Sequence, residues 1–279
     1  MRRPIALAVL FCSSILYAEP SAAPEPEPSV FRETVDHIWH DQKRMLTAPL
    51  RTNRNDLIVW GTAGAALLAL TPSWGNRRPL DERIEENINR HGFSRHFLKD
   101  LTHVGDAPVL IGTSLAGYGL GYWQDMPRVK TASLHTFESL IDAGIVVEIA
   151  KVLAGRHRPI NKPLSSKFNG PVGYFKTSDN DSFPSGHAAM TFAAATVISH
   201  ESENTWVGLG AYGLAGTISY SRIYVEKHYA SDLVAGAVLG YSIGVLVEKH
   251  RHAKDDDKAG RIAPTLIENA PGLAWTKKW

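Results

Sequence analysis

The sequence predicts an all-α protein with about six long core helices. Apolar segments of helical length recur along the chain, separated by chain breakers or charged clusters. Alanine and glycine are abundant in these segments, whereas β-branched runs with the period-two alternation of strands are scarce. The segments are Leu57–Leu70, Ala107–Trp123, Leu140–Ala154, Ala188–Ser199, Trp206–Tyr220 and Leu233–Val247.

The first 23 residues have the pattern of a signal peptide. Two arginines follow the initial methionine, an apolar stretch runs from Ile5 to Tyr17, and small residues offer cleavage points after Ala18 and after Ala23. A retained N-terminal anchor is the alternative, although the apolar run is shorter than the ~20 residues of a membrane span. We therefore expect an exported protein.

The rest of the chain divides by composition into three parts. Residues 24–56 are polar and predict a linker with a peripheral helix, residues 57–250 hold all the apolar segments in one domain, and residues 251–279 form a charged tail that we expect to be mobile. The only cysteine, Cys12, lies in the signal peptide, so the mature chain has no disulfide or cysteine metal site. The net charge of +2 gives no basic footprint for nucleic acid.

The apolar segments leave the relation to a membrane open. Their uncharged runs reach only about 14 to 18 residues, the low edge of the spanning range, and Asp142 and Glu148 interrupt the third segment. The frequent small residues suit helix packing in lipid and equally a compact soluble bundle. Four tryptophans beside these segments fit either an interfacial belt or ordinary core packing: Trp60, Trp74, Trp123 and Trp206.

A cationic pair ends the third apolar segment. Lys151 and Arg158 are seven residues apart, almost two helical turns, so they share one helix face. Pro159 moves Arg158 out of the helical region, and the pair could then hold an anion, Lys151 as a point charge and Arg158 bidentately. Taken alone, the pair also fits cations that complement the dipole of a helix C-terminus. We expect Glu148 to orient Lys151.

A second motif, Pro184–His187, precedes the fourth apolar segment. Ser185 is a suitable N-cap, Gly186 allows close backbone approach, and the first N–H groups of a helix bind anions. His187 would lie beside an anion bound there. An ordinary capped helix with a histidine in its first turn is the alternative. Asp181, just before the motif, is expected in a polar loop at the mouth of the site.

A third motif joins a cation to a histidine–aspartate pair. Arg222 adds another positive charge, and His228 and Asp232 are four residues apart, so that on a helix the carboxylate would lie one turn from the imidazole. Such a carboxylate fixes the imidazole tautomer and leaves the other ring nitrogen free to attack. A surface ion pair is the ordinary alternative.

Together the motifs read KVLAGRHRP, PSGH and SRIYVEKHYASD, in that order. They resemble the signature of the type 2 phosphatidic acid phosphatase (PAP2) superfamily, which includes class A acid phosphatases and vanadium haloperoxidases. The resemblance is strongest over residues 138–248. It implies a PAP2-type helical bundle that works without a metal or another cofactor.

The resemblance also implies a role for each matched residue. His228 would attack phosphorus to form a phosphohistidine, Asp232 would hold His228 in position, and His187 would protonate the leaving oxygen. Fixed positive charges and amides around the phosphoryl oxygens are the main catalytic contribution in such a reaction. The implied phosphate-binding residues are Lys151, Arg158, Ser185, Gly186 and Arg222.

The implied function is an exported, metal-independent phosphatase for a phosphorylated lipid or a small phosphoester, in contact with a membrane. A vanadate-dependent haloperoxidase is one alternative, because vanadate mimics the phosphoryl group, although 279 residues leave little room for the additional helices of those enzymes. A non-catalytic phospholipid-binding protein is another, but binding alone requires no nucleophile such as His228. The oligomeric state and the lipid tail are left open.

Overall fold

The fold is known from a computed structural model, and contacts divide the chain into two units, Met1–Val35 and Asp36–Trp279. The described residues of the first unit are 29–35, which form the start of helix α1. The rest of α1 and all other helices and strands belong to the second unit. The predicted signal peptide lies outside the described residues. The structure describes residues 29–47, 54–71, 79–91, 95–161, 167–177, 179–202, 204–259, 261–267 and 270–276.

Over these described ranges the secondary structure is almost entirely helical. A 3₁₀ turn, Pro159–Asn161, follows α6. The helices are α1 (Val30–Thr47), α2 (Arg54–Leu70), α3 (Leu80–His91), α4 (Arg95–Val104), α5 (Ala107–Trp123), α6 (Pro127–Ala154), α7 (Gly170–Tyr174), α8 (Gly186–Ser202), α9 (Thr205–Tyr224) and α10 (Ala230–Ala259).

The long helices confirm the predicted all-α fold. Helix α5 coincides with the predicted segment at both ends, whereas α6 begins at Pro127, well before the predicted Leu140. The first half of α6 carries buried polar side chains, including His135 and Glu138, so it lacks the apolar run on which the prediction depended. Helices α3 and α4 are amphipathic, and they too lie outside the apolar segments.

The last part of the chain has more structure than the prediction gave it. Helix α10 continues past residue 250 to Ala259, and strands β1 (Arg261–Ile267) and β2 (Ala270–Thr276) pair antiparallel after it. Arg251 at the predicted start of the tail is buried, with 3% of its surface exposed. The predicted boundary at 250 therefore falls within α10.

Helices α6, α8 and α10 pack together and supply most of the hydrophobic core. Their small side chains, mainly alanine on α8, allow the helix axes to come close. The buried core residues are Leu140, Ala143, Met190, Ala193, Ala194, Ile243 and Val247.

Glycines on one face of α10 set the contact with α8. A Cβ atom on Gly240 would lie 2.0 Å from the carbonyl oxygen of Ala189, and one on Gly236 would lie 2.5 Å from the carbonyl oxygen of Ser185. The obstructing atoms belong to the backbone, which cannot move aside as a flexible side chain would. This contact fixes the N-termini of α8 and α10 next to each other.

We expect the Gly240→Ala variant to lower the free energy of unfolding by about 1–3 kcal/mol, because the added methyl group forces α8 and α10 apart. Chemical denaturation followed by circular dichroism measures the change. Gly213→Ala on α9 is the matched control, since a Cβ atom there meets nothing within 4 Å. Equal stability of the two variants would contradict the packing role of Gly240.

A buried ionic network joins α1 to α6 and α10. Arg251 donates to Asp41 and Glu138, each over 2.7 Å, and the carboxylate of Asp41 also pairs with His250 at 2.5 Å. His37 approaches Glu138 at 3.0 Å. Asp41 of α1 is thus fully buried, whereas most other residues of this helix are exposed or half-buried.

Candidate active site

Lys151 lies in the last turn of α6, where the sequence placed it. Its ammonium group is 2.7 Å from the carboxylate of Glu148, the contact predicted from their spacing. The Nζ atom also lies close to the start of α8, because a Cβ atom on Gly186 would be 3.8 Å from it. Gly155 ends α6 with φ at +53°, in the left-handed region that favours glycine, and turns the chain towards Arg158.

Arg158 follows this turn and forms a two-pronged ion pair with Asp181. Its Nε and Nη2 atoms donate to the two carboxylate oxygens, both over 2.6 Å. This fork-to-carboxylate geometry is the one that a phosphate would also accept. Asp181 interacts electrostatically with Lys151 and His228 as well, so its carboxylate lies among groups that the sequence predicts to bind phosphate or to react with it.

Arg222, at the end of α9, is 9% exposed and has unused donor capacity. Its Nη1 donates to Thr102 Oγ1 over 2.7 Å, while its buried Nε has no hydrogen-bond partner among the described residues. Burial and the nearby Arg158 lower the pKa of Arg222 to about 10. An anion bound between the two guanidinium groups would relieve both effects.

The start of α8 brings backbone and hydroxyl donors to the same place. Ser185 is buried, and its Oγ accepts from the N–H of Ala188 over 3.4 Å, as expected of an N-cap. Its own N–H donates to the carbonyl of Asp232 at the start of α10. Gly186 begins the helix, and the free N–H groups of this first turn lie beside Lys151.

His187 lies in the first turn of α8 and contacts a carboxylate that the sequence did not single out. Its Nε2 is 3.0 Å from Asp106 Oδ1, in the loop before α5. Burial, followed by the charges of Arg222 and His228, lowers the pKa of His187 to about 4 although Asp106 opposes this. His187 is therefore neutral at pH 7 in the free site, with its Nδ1 left for a ligand.

His228 is buried, with 3% of its surface exposed, in the loop between α9 and α10. Its Nδ1 donates to the carbonyl oxygen of Ser182 over 2.7 Å, which leaves Nε2 unprotonated in the neutral ring. Burial lowers the pKa of His228, and the nearby Arg222 and Arg158 act in the same direction. The result is a neutral imidazole with a free lone pair next to cations.

Asp232 lies next to His228, as the sequence predicted, with its Oδ2 3.7 Å from the Nδ1 atom of the imidazole. This separation suits an ion pair but exceeds a hydrogen bond, and His228 precedes the first residue of α10 rather than lying on the helix. Asp232 instead accepts from Ser182 Oγ over 2.6 Å and from the N–H of Tyr229 over 2.8 Å. Asp232 thus also holds His228 indirectly, through Ser182. The hydroxyl group of Ser182 donates to Asp232, and its carbonyl oxygen accepts from the imidazole of His228.

Arg156 contacts Asp232 from the interior of the protein. Its guanidinium group is fully buried, donates to Asp232 and pairs with Asp81 of α3 at 2.8 Å. The rings of Phe168 and Tyr229 lie 4.8 Å and 4.5 Å from its Cζ atom. Arg156 therefore fixes Asp232 from the interior and is not available to a ligand.

All eight predicted site residues lie at or next to one end of α6, α8, α9 or α10, and electrostatic interactions connect most of them. The sequence missed several supporting residues that come from distant parts of the chain. Asp106 had one usable signal, its position directly before a proline-initiated helix, but nothing linked it to His187. The missed residues are Asp81, Thr102, Asp106, Arg156 and Ser182.

Comparison with known proteins gives one family match and several partial relatives. Residues 132–255 match the model of the PAP2 superfamily. The chain is 38% identical over 68 residues to lipid A 1-phosphatase of Porphyromonas gingivalis, covering 24% of this chain and 15% of that protein. It is 31% identical over 120 residues to undecaprenyl-diphosphatase of Sulfolobus acidocaldarius, covering 43% and 55%.

The chain thus spans about half or less of these two relatives' lengths. A solved structure, that of LpxE from Aquifex aeolicus, is 24% identical and superposes with a TM-score of 0.48 over 62% of this chain and 96% of that one.

Proposed function

We propose that this chain, whose residues 132–255 belong to the PAP2 superfamily, is a phosphatase for a phosphate monoester or diphosphate carried by a lipid. One observation supports the proposal most directly: the neutral His228 lies near two cations, Arg158 and Arg222, and Arg222 has a buried N–H without a partner in the described part of the chain. That combination suits attack on a bound phosphoryl group.

In the first step Nε2 of His228 attacks phosphorus. The bond from phosphorus to the lipid oxygen breaks, and the proton of His187 passes to that oxygen, releasing the lipid alcohol or monophosphate. Lys151, Arg158 and Arg222 neutralise the charge on the phosphoryl oxygens, while the N–H groups at the start of α8 donate to them. Asp181 leaves Arg158 when phosphate takes its place.

In the second step water attacks the phosphohistidine. His187, now neutral, takes a proton from this water, the bond between phosphorus and Nε2 breaks, and inorganic phosphate leaves. His228 returns to its neutral form with Nδ1 still bonded to Ser182. The low pKa of His187 in the free site matches this second role, and the negative charge of a bound substrate supplies the protonated form for the first.

The surroundings of the site support a lipid as substrate. Val172 and Phe175, in and after α7, are 66% and 77% exposed, and Leu153 in the last turn of α6 is 64% exposed. Leu153 follows Lys151 by two residues, and Tyr174, between Val172 and Phe175, interacts electrostatically with Asp181, so an acyl or prenyl chain continuing from a bound phosphate could reach these apolar side chains. The two named relatives act, by their names, on lipid A and on undecaprenyl diphosphate.

We infer that the protein works at a membrane after export through its predicted signal peptide. Among the described residues one stretch, Ala230–Arg251, is long and apolar enough to cross a bilayer, a property that core helices share. Two exposed tryptophans also support a membrane location. Trp123 and Trp206, at the ends of α5 and α9, are 79% and 81% exposed, which fits an interfacial belt better than core packing. Trp60 is 47% exposed, and Trp74 lies outside the described residues.

We expect the Asp106→Asn variant to lose activity near neutral pH and recover it as the pH falls. The Asp106 carboxylate stabilises protonated His187, so its loss lowers the pKa of His187 further. Each unit of that shift reduces the protonated fraction about tenfold at pH values above the pKa. A pH profile of kcat measures the effect. Asp100→Asn, on the exposed side of α4, is the control, and an unmoved profile in Asp106→Asn would contradict the role of Asp106.

Phosphate release by the purified full-length protein tests the function. The substrates would be lipid A, undecaprenyl diphosphate, phosphatidate and a soluble phosphomonoester, with EDTA present throughout. We expect EDTA-resistant release from at least one lipid, competitively inhibited by vanadate, which mimics the transferring phosphoryl group. Release from the soluble ester alone would contradict the lipid assignment. If no phosphate were released from any of the four substrates, the assignment of phosphatase activity would be contradicted.

A further inference from the structure

The helices that carry the candidate active site also carry a second polar cluster at their other ends. His135 lies in the first half of α6, Glu201 in the last turn of α8 and Glu248 in the second half of α10. Each is 14 to 16 residues from a proposed site residue of its own helix, which at 1.5 Å per residue is about 21–24 Å. The cluster is therefore separate from the phosphate site.

The geometry of the cluster resembles a metal-binding site. One ligand atom from each residue can be chosen so that all three lie within 4.8 Å of one another. His135 Nδ1 is 2.7 Å from Glu201 Oε1 and 3.6 Å from Glu248 Oε1, and the exposed fractions of the side chains are 9%, 11% and 3%. Donors bound at 2.0–2.2 Å around a tetrahedral ion are about 3.3–3.5 Å apart, so small side-chain rotations would suffice.

The charges of the cluster also suit a dication. Two carboxylates converge on one imidazole in a largely buried place, and both carboxylates have further interactions as well. A divalent ion bound to the neutral imidazole and to one oxygen of each carboxylate would have three protein ligands and a fourth position for water.

We propose that His135, Glu201 and Glu248 bind a divalent transition-metal ion that fastens the far ends of α6, α8 and α10. Imidazole together with carboxylates favours ions such as Zn²⁺ over Mg²⁺ or Ca²⁺, whose preferred ligands are oxygens. The ion would act on stability, because it lies too far from His228 to contact a substrate. Fixing these ends keeps the three helices in the register on which the active site depends.

Zinc binding to the full-length protein tests the site. The protein would be stripped with EDTA and desalted, then titrated with ZnCl₂ by isothermal calorimetry, with metal content measured after dialysis. We expect one zinc ion per chain and a higher melting temperature with zinc. The Glu201→Gln and His135→Gln variants should bind zinc at least ~100-fold more weakly than wild type. Loss of a residue that only hydrogen-bonds to a metal ligand lowers the affinity by a smaller factor, about 10–100-fold. His200→Gln, an exposed neighbour on α8, should bind like wild type.

The His228→Ala variant separates this site from the active site, because it removes an active-site imidazole and should keep its zinc. Loss of zinc there would place the ion at the active site and overturn the proposal. So would absence of saturable binding to wild type, or unchanged affinity in Glu201→Gln. X-ray absorption of zinc-loaded wild type, which does not depend on any variant folding, should show a single imidazole ligand; two or more would also overturn it.

Discussion

The His228→Ala variant is expected to lose at least ~10³-fold in kcat while keeping its helical fold, the scale seen when a nucleophile is removed. The side chain is buried and its Nδ1 is already committed to Ser182, so Nε2 is the nitrogen available to attack. His187, the other imidazole of the candidate site, has its Nε2 committed to Asp106. Phosphate release from the preferred lipid measures the loss.

Two controls keep this result interpretable. His200→Ala removes an exposed histidine of α8 and should leave kcat unchanged, while the circular dichroism spectrum of His228→Ala should match that of wild type. Rapid quenching of wild type and ³²P-labelled substrate in alkaline detergent, which preserves the acid-labile phosphorus–nitrogen bond, should yield labelled protein, and His228→Ala should yield none. A variant that retains a tenth or more of wild-type turnover would exclude His228 as the nucleophile.

The Arg156→Ala variant is expected to lose about 3–5 kcal/mol of unfolding free energy, the cost of leaving buried charges without a partner. Asp81 and Asp232 are both fully buried, and Arg156 is the cation that faces them. We also expect lower kcat, because Asp232 then loses its fixed position beneath the Ser182 segment. Chemical denaturation and phosphate release measure the two effects.

Arg83→Ala is the matched control for Arg156→Ala. Arg83 lies two residues after Asp81 on α3, but its side chain is exposed. We expect this variant to differ from wild type by less than about 0.5 kcal/mol, as surface substitutions usually do. If Arg156→Ala lowered the free energy of unfolding by less than about 1 kcal/mol, water or a neighbouring group would have to replace the guanidinium. That result would contradict the role of Arg156 in positioning Asp232.

The fold was predictable where helices bury a continuous apolar stretch. That is why α5 was placed correctly and why α8 and α9 fell within a few residues of their predicted segments. The start of α6 was not predictable in this way, because His135 and Glu138 are polar yet buried by partners from other helices. A single sequence does not distinguish a buried charge from a solvated one.

The candidate site likewise has residues that the sequence identified and residues that it missed. Lys151, Arg158 and His187 were found because fixed short spacings place them at helix ends, and those ends meet in the structure. Asp106 and Asp81 were missed because they are 81 and 75 residues from their partners and belong to no shared local pattern. The indirect position of Asp232 was missed for a local reason, since α10 starts two residues after His228.

The network that joins α1 to α10 has a consequence for biosynthesis. Asp41 finds its partners His250 and Arg251 only 209 and 210 residues later in the chain. While the ribosome is still making the intervening helices, the buried carboxylate of α1 lacks those cations, and docking α1 early would be unfavourable. Helix α1 is therefore among the last elements to reach its place, and a chain that stops before residue 250 lacks both of these partners of Asp41.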